Sequence, residues 1–196
     1  NRGQEGAGLA TVKLDVPPGE EYIWRERIEG KNAIQEIFAG INATMRNAGS
    51  EVFNNVEKAK AELPFAGEMY LGHLRYSTTG KSGLSYVHPF LRRHNWKNRT
   101  MVLAGNFNLT NVDELFDYLT LKGQHPRDKG DTFLMLESLG FTLDKEVQKE
   151  YDLLKQRYTN DRVITQKIEE NLRIASFIRK SEKMWDGGYA ICGMLG

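Results

Sequence analysis

Few residues of this 196-residue chain could do covalent, metal or nucleotide chemistry on local spacing alone. The four histidines, His73, His88, His94 and His125, have no i,i+3 or i,i+4 partner, so no stretch builds a metal site by itself. Cys192 is the one thiol. It lies in an apolar run with Ala190, Ile191, Met194 and Leu195, and reads as a small core hydrophobe rather than a reactive thiol. With a single cysteine, neither an intrachain disulfide nor a Cys-based zinc cage can form. Gly80-Lys81-Ser82 ends like a phosphate-binding loop, but Arg75 stands where that loop needs its first glycine. Gly3, Gly6 and Gly8 run in the reverse order of a dinucleotide fingerprint. Three Asn-x-Thr triplets, at Asn42, Asn98 and Asn108, read as chance because no secretory leader precedes them.

The elements that would position these residues follow from periodicity. Residues 6–14 and 22–28 read as strands around the turn Val16-Pro17-Pro18-Gly19, hence a hairpin. Ile34, Ile37, Phe38, Ile41 and Met45 recur at helical spacing over 31–48, and a second short helix is predicted over 51–62. Residues 69–76 and 101–104 read as strands, the latter running into a Gly/Asn turn. Asn111 and Asp131 can each cap a helix. A charged helical stretch fills about 144–185, with alternating signs that read as a solvated face, and 188–195 reads as a buried strand. Strands at both ends with helices grouped between them favour an α+β architecture over a doubly wound parallel sheet.

Composition sets the outer limits. Lys and Arg number 27 against 26 Asp and Glu, a formal charge of +1, so nothing global points to nucleic acid or an acidic membrane. At 40% hydrophobic residues the chain is that of a globular protein of one domain, or two at most. No run approaches the ~18 apolar residues of a membrane span, and a reducing, cytoplasmic setting is expected. Both ends read as cut, so a fragment of a longer protein is expected.

Four segments belong together: Arg2-Gly3-Gln4-Glu5-Gly6-Ala7-Gly8, Gly72-His73-Leu74-Arg75-Tyr76-Ser77-Thr78, Leu103-Ala104-Gly105-Asn106-Phe107-Asn108-Leu109-Thr110-Asn111, and Gly130-Asp131-Thr132, with His88-Pro89-Phe90 between the second and third. In these the chain resembles the class II glutamine amidotransferases, which are N-terminal-nucleophile hydrolases, and among them the glutaminase domain of amidophosphoribosyltransferases most. The resemblance implies a four-layer αββα sandwich of two antiparallel sheets, incomplete at both ends, with residues 1–196 as one glutaminase-domain fragment. It implies attack of a thiolate on the glutamine side-chain amide, release of ammonia to a synthase domain, and hydrolysis to glutamate. The implied partners are glutamine, a phosphoribosyltransferase domain in the parent chain and further copies in a homo-oligomer. No cofactor is implied in this domain, with Mg expected only in the phosphoribosyltransferase domain. The ammonia acceptor rests on the resemblance alone, since relatives such as glucosamine-6-phosphate synthase share the glutaminase fold.

Site roles carry over residue by residue. Arg75 would clamp the α-carboxylate of free glutamine and Asp131 its α-ammonium, with Thr78 beside the substrate. Without the resemblance, Arg75 reads as a strand-end surface residue and Asp131 as a helix cap. The Asn106 side chain and the Phe107 backbone N–H would hold the tetrahedral oxyanion. Two departures fall here: Gly105 replaces the family's His, and Phe107 replaces its Gly, a strained exchange if that backbone needs φ > 0. Arg2, Gly3 and His88 are supporting candidates. The family nucleophile, an N-terminal Cys whose α-amine is the base, is absent from these residues, and Cys192 cannot replace it because its nitrogen is a peptide amide. The chain alone is therefore expected to be inactive as a glutaminase. The alternatives are a non-catalytic glutamine-binding module and a purely structural protein using the charged helices.

Overall fold

A computed structural model describes residues 5–76 and 83–196. Arg2, Gly3, Ser77, Thr78 and the Gly80-Lys81-Ser82 triplet lie outside the described residues. Among the described residues six strands form two antiparallel sheets. The first has the order β2-β1-β3, from β1 (Gly6–Val12), β2 (Ile23–Glu29) and β3 (Met69–Arg75). The second has the order β4-β5-β6, from β4 (Phe90–Arg92), β5 (Met101–Leu109) and β6 (Gly187–Leu195). The predicted hairpin is present, with Gly6 opposite Glu29 and Val12 opposite Ile23.

Alternation along β1 and β5 builds the layers. Ala10 and Val12 meet Val102 and Leu71 between the two sheets, while Ala7 and Leu9 turn outward to α1 (Ala33–Asn47) through Ile37 and Ile41. Because both faces of β1 are buried, its sequence shows little polar alternation. On the far side Met101, Leu103 and Leu109 turn outward into the larger core. Four further helices supply that core: α4 (Val112–Leu121), α5 (Asp131–Leu154), α6 (Asp161–Asn171) and α7 (Ile174–Glu182). The order helix, sheet, sheet, helices is the αββα sandwich expected. The predicted 51–62 helix is two short ones, α2 (Ser50–Phe53) and α3 (Val56–Glu62).

Several expectations are corrected. The 144–185 stretch is the end of α5 followed by α6 and α7, broken near Asn160 and Leu172, where backbone leaves the helical region. Its alternating charges do lie outward, with Ile164, Ile168 and Phe177 buried beneath them. The strand from Met101 does not turn at Gly105 but stays paired with β6 through Leu109 opposite Gly187. β6 itself is not buried. Among the described residues only β5 flanks it, so most of its residues and Cys192 are exposed, and the thiol is no core hydrophobe. Asn111 precedes α4 but makes no side-chain cap. Its amide instead braces the start of β6, donating to the Met184 carbonyl (3.0 Å) and accepting from the Asp186 N–H (3.0 Å).

Candidate active site

A cleft of about 2050 Å3 runs between the sheets and the start of α5. Arg75, His88, Asn106, Phe107 and Asp131 all line it. Arg75 is the last residue of β3, paired with Gly6, and its guanidinium donates to the Tyr86 carbonyl (2.5 Å) and sits 3.9 Å from Glu5. Asp131 opens α5, with Gly130 as the N-cap, so the carboxylate stands where the helix N-terminus favours negative charge. One of its oxygens accepts the Thr132 N–H (2.7 Å). The two groups of opposite charge thus come from a strand end and a helix start that are 56 positions apart in sequence and meet at one cavity.

Asn106 and Phe107 line the same cleft from β5. β4 pairs with Met101–Leu103, and from Ala104 onward no strand among the described residues pairs with that edge of β5. The Gly105 N–H leaves by this edge to His88 Nδ1 (3.2 Å). Backbone donors alternate along an antiparallel strand, so the Phe107 N–H leaves by the same edge, into the cleft. The strain anticipated at Phe107 is absent: Asp15 is the only non-glycine with positive φ among the described residues. The Asn106 side chain is exposed, whereas the Phe107 ring packs toward the helical core and stacks on His88 at 5.6 Å.

His88 is the hub that spacing did not reveal. Its ring is 6% exposed and stacks on His73 with centroids 4.3 Å apart, and it meets Phe90 edge-on at 5.0 Å. Nδ1 accepts from Gly105, which assigns the proton to Nε2, facing Thr132 Oγ1 at 3.4 Å. Thr132 Oγ1 in turn lies 3.4 Å from Asp131. Burial, then His73, Arg75 and Arg27, push the His88 pKa down to about 3, so the ring is neutral. His73 is lowered as well, chiefly by burial.

Glycines permit this approach. A Cβ on Gly8 would lie 2.0 Å from the His88 carbonyl oxygen, and one on Gly6 would lie 2.9 Å from the Val87 side chain. The Gly6-Ala7-Gly8 pattern therefore lets β1 pass directly beneath residues 87–89. That signal was available in the sequence as a glycine spacing, but its partner 80 residues away was not. Among the described residues no three His, Cys, Asp or Glu side chains come together to hold a metal ion, and no helix is long and apolar enough to cross a membrane.

No protein-family model matches the chain. Among curated proteins it is 30% identical to amidophosphoribosyltransferase of Bacillus subtilis over 165 residues, which is 81% of this chain and 28% of that one. It is 36% identical to amidophosphoribosyltransferase of Lacticaseibacillus casei over 136 residues, covering 69% of this chain and 56% of that one. Among solved structures, the glutamine phosphoribosylpyrophosphate amidotransferase of B. subtilis, complexed with ADP and GMP, matches 99% of this chain and 30% of its own. The TM-score is 0.56 at 24% identity, a likeness of fold. The chain spans about a quarter to a half of the relatives named here. Over most of its length, it is homologous to part of the amidophosphoribosyltransferases.

Proposed function

We propose that this chain is the glutaminase part of a class II glutamine amidotransferase of the amidophosphoribosyltransferase kind. One observation carries the reading: Arg75, Asp131 and the open edge of β5 at Asn106–Phe107 line a single cleft. Free glutamine presents an α-carboxylate to Arg75 and an α-ammonium to Asp131, and its side-chain amide reaches the β5 edge. A thiolate adds to the amide carbon. The oxyanion is held by the Asn106 amide and the Phe107 N–H, each donor of this kind being worth about 3 kcal/mol in comparable enzymes. As the oxyanion collapses, the amide nitrogen takes the proton that the nucleophile's α-amine removed from the thiol and leaves as ammonia, and water cleaves the thioester to glutamate. The thiolate comes from an N-terminal Cys of the longer protein, so the 196 residues alone bind glutamine without hydrolysing it. Thr78, Arg2 and Gly3, outside the described residues, keep the roles that the resemblance implies. His88 holds the β5 edge in place through Gly105. In the longer protein the ammonia passes to a phosphoribosyltransferase domain and phosphoribosyl pyrophosphate, with Mg bound in that domain alone. The whole works as a cytoplasmic homo-oligomer of purine synthesis.

The test is calorimetry with a panel of ligands. L-glutamine is expected to bind, whereas N-acetylglutamine and glutamine α-amide, each lacking one charge, bind about 10- to 100-fold more weakly, the value of a hydrogen bond to a charged group. Equal affinity for all three overturns the reading.

A further inference from the structure

Seven cationic side chains line the cleft among the described residues, and four of them, Arg75, Arg92, Arg93 and Lys129, face the carboxylates of Glu5, Asp144, Glu21 and Asp113. Arg25 and Arg27 are two apart on β2 and turn to the same face, toward residues 87–89. Arg25 donates one N–H to the Pro89 carbonyl (3.3 Å), and Arg27 one to the Val87 carbonyl (2.8 Å). Neither has a carboxylate within 4.0 Å among the described residues, and the nearby Arg93 spends its charge on Glu21. Each guanidinium has five N–H donors, so the carbonyl contact orients the group and leaves most of its donors for another acceptor. Arg27 and Arg25 are both half-buried, Arg27 with the Phe90 ring 5.7 Å away, and a half-buried cation with no carboxylate against it gains when an anion joins it.

We propose that Arg25 and Arg27 form an oxyanion site at the β2 end of the cleft, which takes the phosphate or diphosphate group of a small-molecule ligand. Bidentate guanidinium–phosphate pairing suits two forks roughly 7 Å apart at the backbone, converging on one phosphate or gripping adjacent ones. The mutual repulsion of Arg25, Arg27 and Arg93, which lowers the Arg25 pKa beyond the effect of burial, is relieved when the anion binds. The cleft is large enough to hold such a ligand beside a glutamine.

The probe is inorganic pyrophosphate, titrated into the 196-residue chain by calorimetry at low salt and at 0.15 M salt. Saturable one-to-one binding is expected, weakening with salt. Arg25→Gln and Arg27→Gln are each expected to weaken it at least 10-fold, whereas Arg157→Gln, outside the cleft, leaves it unchanged. Because both arginines also brace residues 87–89, Arg25→Lys and Arg27→Lys are measured with thermal midpoints. A severalfold loss of affinity at an unchanged midpoint supports the site. Absent binding, equal affinity in the Gln variants, or losses that merely follow the thermal midpoints would overturn it. Glutamine binding in Arg25→Lys at an unchanged thermal midpoint is expected to be unchanged, so this site and the glutamine clamp succeed or fail separately.

Discussion

Lowering the pH should unfold this protein through His88. In the unfolded chain the ring titrates near 6.5, and in the fold near 3. Above pH 6.5 it is neutral in both states, and the contacts of the neutral ring contribute in full. Below pH 6.5 the unfolded chain takes up a proton that the folded chain refuses. Stability then falls by about 1.4 kcal/mol per pH unit, until the folded ring titrates near pH 3. From pH 6.5 to pH 5 the loss owed to His88 is about 2 kcal/mol. His73 adds a loss of the same sign, so the informative quantity is the difference between the unsubstituted chain and His88→Gln. Glutamine keeps an acceptor for the Gly105 N–H but loses the ring stacks, so at pH 7 the variant is expected to be less stable by about 1–3 kcal/mol. Between pH 7 and pH 5, urea unfolding should show the unsubstituted chain losing about 2 kcal/mol more than the variant. Equal losses in the two proteins would refute the reasoning, because His88 would then protonate in the fold as readily as in the unfolded chain.

Other expectations follow from close packing. Gly8→Ala places a methyl 2.0 Å from the His88 carbonyl oxygen, so a loss of about 2–4 kcal/mol is expected by urea unfolding, with weaker glutamine binding as residues 87–89 shift. Trp185→Phe removes the buried indole N–H bond to Ser138 Oγ (2.9 Å) and should cost about 1–3 kcal/mol, whereas Ser138→Ala in that background should add less than it does alone. Arg92→Ala breaks a two-bond pair with Asp144 (3.1 and 2.5 Å), whose side chains are mostly covered, and should lower stability by about 2–3 kcal/mol at neutral pH. In a longer protein that carries the nucleophile, Asn106→Ala should reduce kcat about 100- to 1,000-fold with little change in KM.

How far the fold was legible depended on whether a residue's neighbours lie close in sequence. The β1–β2 hairpin and α1 follow from turn prolines and a 3.6-residue period, and both are present. β5 beyond Ala104 was not legible, because Gly105 and Asn106 signal a turn locally. Pairing with β6, from the far end of the chain, holds them extended. The same strand explains Cys192: apolar neighbours imply burial only if a second strand or a helix covers them, and among the described residues β5 alone flanks β6. At the site, Arg75, Asp131, Asn106 and Phe107 were legible from their segments, and the fold brings all four to one cleft. His88 was only a weak candidate, because its importance lies in contacts with His73, Gly105 and Thr132, which no local spacing encodes.

The central claim is that one cleft grips free glutamine by both α-groups and points its amide at the edge of β5. A crystal structure of the chain with L-glutamine tests it most directly. The account predicts the α-carboxylate on the Arg75 guanidinium, the α-ammonium on Asp131, and the side-chain carbonyl oxygen within hydrogen-bond distance of the Asn106 amide and the Phe107 N–H. Glutamine bound elsewhere, or in this cleft without contact to Arg75 and Asp131, would contradict it.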